Sequence, residues 1–237
     1  MNAHSAKLSD RILDAYKSYG LKSTIQASLV AVLDYLFDFR YGTDTVSHVE
    51  LKNLDINSEN YSRGHRYAST PAIAFKKLLD AIEFPDDSVF VDIGCGKGKM
   101  LLLAPHFGFK RVVGVDFSEK LCECARKNIS IYQQKTGRNA HIDVIHSDVV
   151  HYEIKDDENV FYLFNPFDEV ILKKVLDNIC SSVEKNPRPV YLIYYIPYYR
   201  KIIERHGSFI KLRRYFFSGC EFIIYGNKPA DQFFHKR

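Results

Sequence analysis

From residue 89 onward, short apolar blocks rich in Val, Ile, Phe and Tyr alternate with longer stretches in which apolar residues recur every three to four positions. Blocks at 89–93, 111–115, 141–146 and 160–164 read as strands, and residues 99–104 and 118–135 as the helices between the first three. Strand and helix in alternation is the pattern of a parallel sheet covered on its faces by helices. Further on, 190–196 is a tyrosine-rich strand, 197–206 a helix, and 209–217 and 221–225 two strands whose short join through Ser218-Gly219 predicts an antiparallel hairpin. Upstream, 72–82 reads as an amphipathic helix with Ile73, Leu78, Leu79 and Ile82 on one side, Thr70 as its N-cap candidate and Pro71 in its first turn. Earlier still, Ile12, Leu13, Tyr16 and Tyr19, then Ile25, Leu29, Val32, Leu33, Leu36 and Phe37, recur at helical spacing with Gly20 as the break, which predicts two helices, followed by a turn over 40–45. The expected architecture is an α/β, doubly wound, mostly parallel sheet with an antiparallel C-terminal hairpin over 61–237. A helical extension over 1–60 precedes it, suited to a lid, a substrate wall or a dimer contact.

Composition narrows the class without naming it. A chain of 237 residues that is 46% hydrophobic can bury a substantial core and is no disordered segment. No long apolar run opens the chain, so neither a secretory signal nor a membrane span is expected. Five cysteines, Cys95, Cys122, Cys124, Cys180 and Cys220, are odd in number and scattered, which suits a reducing cytoplasm. Cys122 and Cys124 point to different faces of a helix, and no other set stands at ligand spacing, so no metal is expected. The net charge of +4 is mild. A nucleic-acid enzyme carries a denser basic footprint, so nucleic acid ranks last among the partner classes.

The chemistry concentrates in V-F-V-D-I-G-C-G-K-G-K-M over 89–100, a strand running into a glycine turn with Asp92 just ahead of it. Gly94, Gly96 and Gly98 let the backbone bend tightly and approach a ligand closely. A dinucleotide fingerprint, G-x-G-x-x-G, requires a third glycine where this chain has Lys99, and a P-loop requires a Lys-Ser/Thr ending that is missing. A carboxylate beside the turn repels a pyrophosphate and attracts a cation, which disfavours a nicotinamide-dependent oxidoreductase. Asp116 ends the second strand roughly 20 residues after the turn, the separation at which an acidic residue reaches ribose hydroxyls. The third and fourth strands end in Ser147-Asp148 and Asn165-Pro166-Phe167. In an open parallel sheet these four strand ends converge on one crevice.

The ordered set VDIGCGKG, VVGVDFS, HSDVV and FYLFNPF resembles the class I, seven-stranded S-adenosylmethionine-dependent methyltransferases over about residues 88–226. The resemblance implies that Asp92 and the Gly94, Cys95, Gly96 and Gly98 turn hold the methionine moiety, Asp116 the ribose hydroxyls, and Asp148 the adenine amino group. Phe117 then lies beside the adenine, and Val149 offers a backbone contact. It places Asn165, Pro166 and Phe167 at the methyl-transfer site, although the N-P-P-Y of adenine and amide N-methyltransferases is only partly matched. It also implies that the last strand inserts antiparallel between the fifth and sixth. Tyr67-Ala68-Ser69-Thr70-Pro71 is similar to the segment that folds over the cofactor in lysine methyltransferases of the Dot1 type, which makes Tyr67 and Thr70 cofactor-binding candidates. Arg63, His65 and Arg66 form a local positive patch, Tyr194 and Tyr195 are expected in the core, and Tyr198 and Tyr199 near the substrate entry. The expected reaction is methyl transfer to a nitrogen or oxygen of a protein lysine, another amine or a small metabolite. A non-catalytic cofactor-binding module is the alternative.

Overall fold

A computed structural model describes residues 25, 28–47, 49, 69–217 and 219–230. Helix α1 spans 28–41 and α2 Ala72–Asp80. The sheet follows, with β1 Val89–Ile93, α3 Lys99–Leu103, β2 Arg111–Asp116, α4 Glu119–Thr136, β3 Ile142–His146, β4 Glu158–Leu163, α5 Glu169–Lys185, β5 Tyr191–Tyr195, α6 Arg200–His206, β6 Ile210–Phe217 and β7 Cys220–Gly226. The seven strands lie in the order β3-β2-β1-β4-β5-β7-β6. The first five are parallel, and β7 runs antiparallel between β5 and β6, as the resemblance implied.

The two faces of the sheet bury two cores. Phe90, Val112, Tyr162, Ile193 and Tyr195 pack with Phe75 and Leu78 of α2, Leu101 of α3 and Ile129 of α4. On the opposite face Val91, Val113, Phe161, Leu192 and Tyr194 pack with Ile171, Val175 and Ile179 of α5 and Ile203 of α6. Every residue of β1 and β2 is buried, which explains their unbroken apolar reading: a central parallel strand is covered on both sides. The order of strands reverses between β1 and β4, so the carboxyl ends of those two strands open a crevice.

One local expectation is corrected. Thr70 does not cap α2. Pro71 occupies the N-cap position without a side-chain bond, and the amide of Ala72 donates instead to Asp34 Oδ1 of α1 at 3.0 Å. The Thr70 hydroxyl meets the Tyr162 hydroxyl at 2.6 Å. Helix α5 is capped by Asp168, whose carboxylate accepts from Val170 and Ile171. Of the two helices expected over 8–39, the first lies outside the described residues, and α1 is the second.

Candidate cofactor cleft

The glycine turn is pinned to the end of β2. Gly94 and Cys95 donate to the Val115 carbonyl at 2.8 and 3.1 Å, and Gly96 donates to Asp116 Oδ2 at 2.9 Å. Asp116 Oδ1 accepts from Ser118 at 3.0 Å, so both carboxylate oxygens already hold backbone, and a ribose would use their remaining lone pairs. Gly94 has φ +79°, and a Cβ there would lie 2.5 Å from Cβ of Pro166, which is how closely the β1 and β4 turns approach. Gly114 in β2 serves the packing behind them: its Cβ would meet Leu101 at 2.5 Å and Cys95 Sγ at 2.8 Å. Cys95 therefore turns its thiol into the core, and burial pushes that thiol well above its usual range. Its amide, bound to the Val115 carbonyl, is its part in the turn.

A cleft opens between these turns, lined by Gly94, Asp116, Phe117, Asp148, Val149, Pro166 and Phe167 among others. Seven of the residues singled out from the sequence thus meet there although they come from four separate strand ends. Asp148 Oδ1 accepts from Val150 at 3.0 Å, fixing the turn after β3. Asp92 lies beside the turn on the α2 and α3 side of the sheet, only 4% exposed and opposite Tyr162 in register. Burial, with the Asp116 carboxylate adding repulsion, pushes its pKa to about 8, and burial pushes Asp116 to about 6 against the pull of its backbone donors. Thr70 reaches the same place through Tyr162. Tyr67, Arg63, His65 and Arg66 lie outside the described residues.

Asn165 departs from its expected posture. It has φ +41°, its Oδ1 accepts from the Tyr194 hydroxyl at 2.7 Å, and its Nδ2 donates to the carbonyl of Ile196, itself at φ +46°. The amide is thus turned toward the end of β5, where it ties the β4 and β5 corners together. Tyr194 and Tyr195 are buried as expected, and Tyr194 also accepts from the Tyr199 amide at 3.3 Å. An open groove of about 1060 Å³ lies beyond this tie, lined by Glu169, Tyr198, Tyr199, Arg200, Lys201, Arg205 and Glu221 among others.

The sequence offered no sign of a second layer behind the turn. Lys97, 3% exposed, pairs with Asp44 at 2.9 Å and with Ser47. Asn128 of α4 accepts from the Asp44 amide at 2.9 Å and donates to the carbonyls of Asp44 at 2.9 Å and Lys97 at 3.0 Å. Lys99, 2% exposed, faces Asp34 at 3.2 Å. Asp38 holds Thr43, Thr45 and Val46, which shapes the loop that delivers Asp44. The extension thereby clamps the outside of the glycine turn.

These features form a cleft at the switch point of a doubly wound sheet, where such sheets bind ligands. Two buried carboxylates beside a glycine cradle that a Cβ would fill suit a cationic cofactor and repel a pyrophosphate. Residues 90–186 match the family described as methyltransferase domain. That match and the strand order agree with the resemblance to class I S-adenosylmethionine-dependent methyltransferases. Among curated proteins the chain is similar to a ribosomal protein L11 methyltransferase of Ruminiclostridium cellulolyticum, 27% identical over 52% of this chain and 32% of that protein. It is also similar to a protein-lysine N-methyltransferase of Saccharolobus islandicus, 23% identical over 52% of this chain and 70% of that protein. The match thus spans about a third of the first relative's length. In fold it resembles the PH0226 protein of Pyrococcus horikoshii, with a TM-score of 0.51 and 19% identity over 76% of this chain and 97% of that one. Among the described residues there is no group of metal-ligating side chains and no helix long and apolar enough to cross a membrane.

Proposed function

We propose that the domain moves the methyl group of S-adenosylmethionine to a nitrogen of a protein lysine or another amine. The observation that carries this reading is the meeting of the glycine turn, Asp116, Asp148 and the Pro166-Phe167 corner at one cleft, with a second acidic group, Asp92, beside it. When bound, S-adenosylmethionine supplies a methyl group activated by a sulfonium. In this reading Asp92 balances the donor's positive charge, Asp116 accepts from the ribose, Asp148 accepts from the adenine amino group, and Phe117 and Val149 flank the ring. Tyr67 and Thr70 close the methionine end. Pro166 and Phe167 wall the transfer point, and Asn165 is a positioning residue that holds the wall against β5. Phe167 also offers a face to a methylammonium-like group.

Among the described residues no histidine lines the cleft, and none is required if an amine arrives unprotonated. Holding nucleophile and methyl carbon in contact replaces a solution encounter, an effect worth up to roughly 7–11 kcal/mol in well-oriented systems. The acceptor would enter along the groove of Tyr198, Arg200, Lys201 and Arg205, whose cations stand beside Glu169 and Glu221. Mixed charge suits a polypeptide better than a polyphosphate chain. The two curated relatives named above are supporting context, and a cytoplasmic setting belongs to the same reading. The test is transfer of labelled methyl from S-adenosylmethionine into fractionated lysate, followed by hydrolysis. Label recovered in methylated lysine or another amine supports the proposal. Label found only in nucleic acid, or donor binding without transfer, overturns it.

A further inference from the structure

Helix α1 presents two faces of different kinds. The inner face buries Phe37, which stacks near Tyr132 of α4, and directs Asp34 and Asp38 to the contacts already described. The outer face carries Leu29, Val32, Leu36 and Phe39, which are 58, 53, 54 and 85% exposed, and Ile25, 60% exposed, precedes Leu29 by four positions in the sequence. Their spacing is four, three, four, three. A helix resting on a globular surface needs a broad stripe with a period of 3.6 residues, whereas strict alternation of four and three makes the narrow seam that another helix fills. Leu33 and Tyr35 flank the seam at 38 and 54% exposure. Nothing among the described residues covers it.

We propose that the seam is covered by the same seam of a second copy, so that the chain forms a two-fold dimer through α1. The seven side chains together expose on the order of 800 Å², the area each partner contributes to a stable interface. Between residues 25 and 39 the only charged residues are Asp34 and Asp38, and both are buried on the inner face. The outer face therefore has no like charge to repel a second copy and no charge to select an acidic or basic partner. One face pairing with itself closes at two subunits.

Sedimentation velocity on the full chain over a hundredfold range of concentration tests this directly. The expected result is a reversible monomer–dimer equilibrium, abolished by Leu29→Lys with Leu36→Lys. Far-ultraviolet dichroism and donor affinity should be unchanged, because the substituted side chains face solvent in the monomer. Phe39→Ser, at the most exposed position, is the milder second variant and should raise the dimer dissociation constant by tenfold or more. A wild-type chain that stays monomeric throughout overturns the proposal and leaves the seam to residues 1–24 or to a different protein. A dimer that survives the double lysine variant overturns it as well.

Discussion

Binding of the cationic donor should release a proton from Asp92. In the folded protein this carboxyl titrates near pH 8, because burial and the Asp116 carboxylate both disfavour its charge. The methionine moiety's positive charge stabilises the ionised form, so the donor competes with a proton for the same site. Below pH 8, linkage then requires affinity to rise about tenfold per pH unit, or 1.36 kcal/mol. Between pH 6 and 7 the expected gain is about tenfold from Asp92, and less than a further factor of about two from Asp116, which with a pKa of about 6 is already half ionised at the lower end. An α-amino group, with an ordinary pKa of about 7.7–8.0, stays largely protonated over that interval and contributes little. Stability of the free protein should move the opposite way. A carboxyl whose folded pKa is raised binds more protons folded than unfolded between about pH 4 and 8, so stability falls as pH rises through that window. Titration calorimetry in two buffers of different ionisation enthalpy counts the protons released, and Asp92→Asn should reduce the release and the slope to the Asp116 share, a factor of less than about two between pH 6 and 7. Donor affinity that is flat from pH 6 to 7, or a roughly tenfold gain that persists in Asp92→Asn, refutes the assignment of Asp92.

Asp116→Ala should weaken donor binding and also lower the melting temperature. It strips the acceptor from two buried amides, Gly96 and Ser118, at about 1–3 kcal/mol for each group left unsatisfied; an unchanged melting temperature would show that water replaces the carboxylate. Asp44→Ala should raise the donor's dissociation constant more than it lowers the methyl-transfer rate at saturation, since Asp44 supports Lys97 behind the turn and touches nothing in the cleft. A loss confined to the saturated rate would contradict that role. Tyr194→Phe removes the hydrogen bond to Asn165 Oδ1, so single-turnover kinetics should show slower transfer with donor affinity retained. Equal rates would mean that the Ile196 contact alone holds Asn165.

The sheet was legible in the sequence because each central strand is short, apolar and closed by a polar residue, and those residues needed only the parallel topology to be brought together. The antiparallel hairpin was legible from its short join. The tie between Asn165 and Tyr194 was not, since the tyrosine reads simply as one more aromatic in a buried strand and its hydroxyl's partner lies 29 residues away. Thr70 was misread for a related reason. A hydroxyl one residue before Pro71 has the look of a cap, but the donor it would serve is taken by Asp34 from 38 residues upstream.

The same long-range logic decides what the extension is. Lys97 and Lys99 bracket Gly98, and both ammonium groups are buried at the back of the cofactor turn. Alone, the segment from residue 61 would hold two buried cations without their partners Asp34, Asp44 and Ser47. Breaking a buried ion pair by removing one member costs about 3–5 kcal/mol, an amount that applies to the enclosed Lys99–Asp34 pair and must be discounted for Asp44, whose side chain is 55% exposed. Burial already lowers the Lys99 pKa despite Asp34, so without that carboxylate the amine would move further toward its neutral form instead of remaining charged. Either response alters the segment that sets the path of the glycine turn. The residues that mark the candidate site in the sequence are therefore held in register by residues that bear no mark at all.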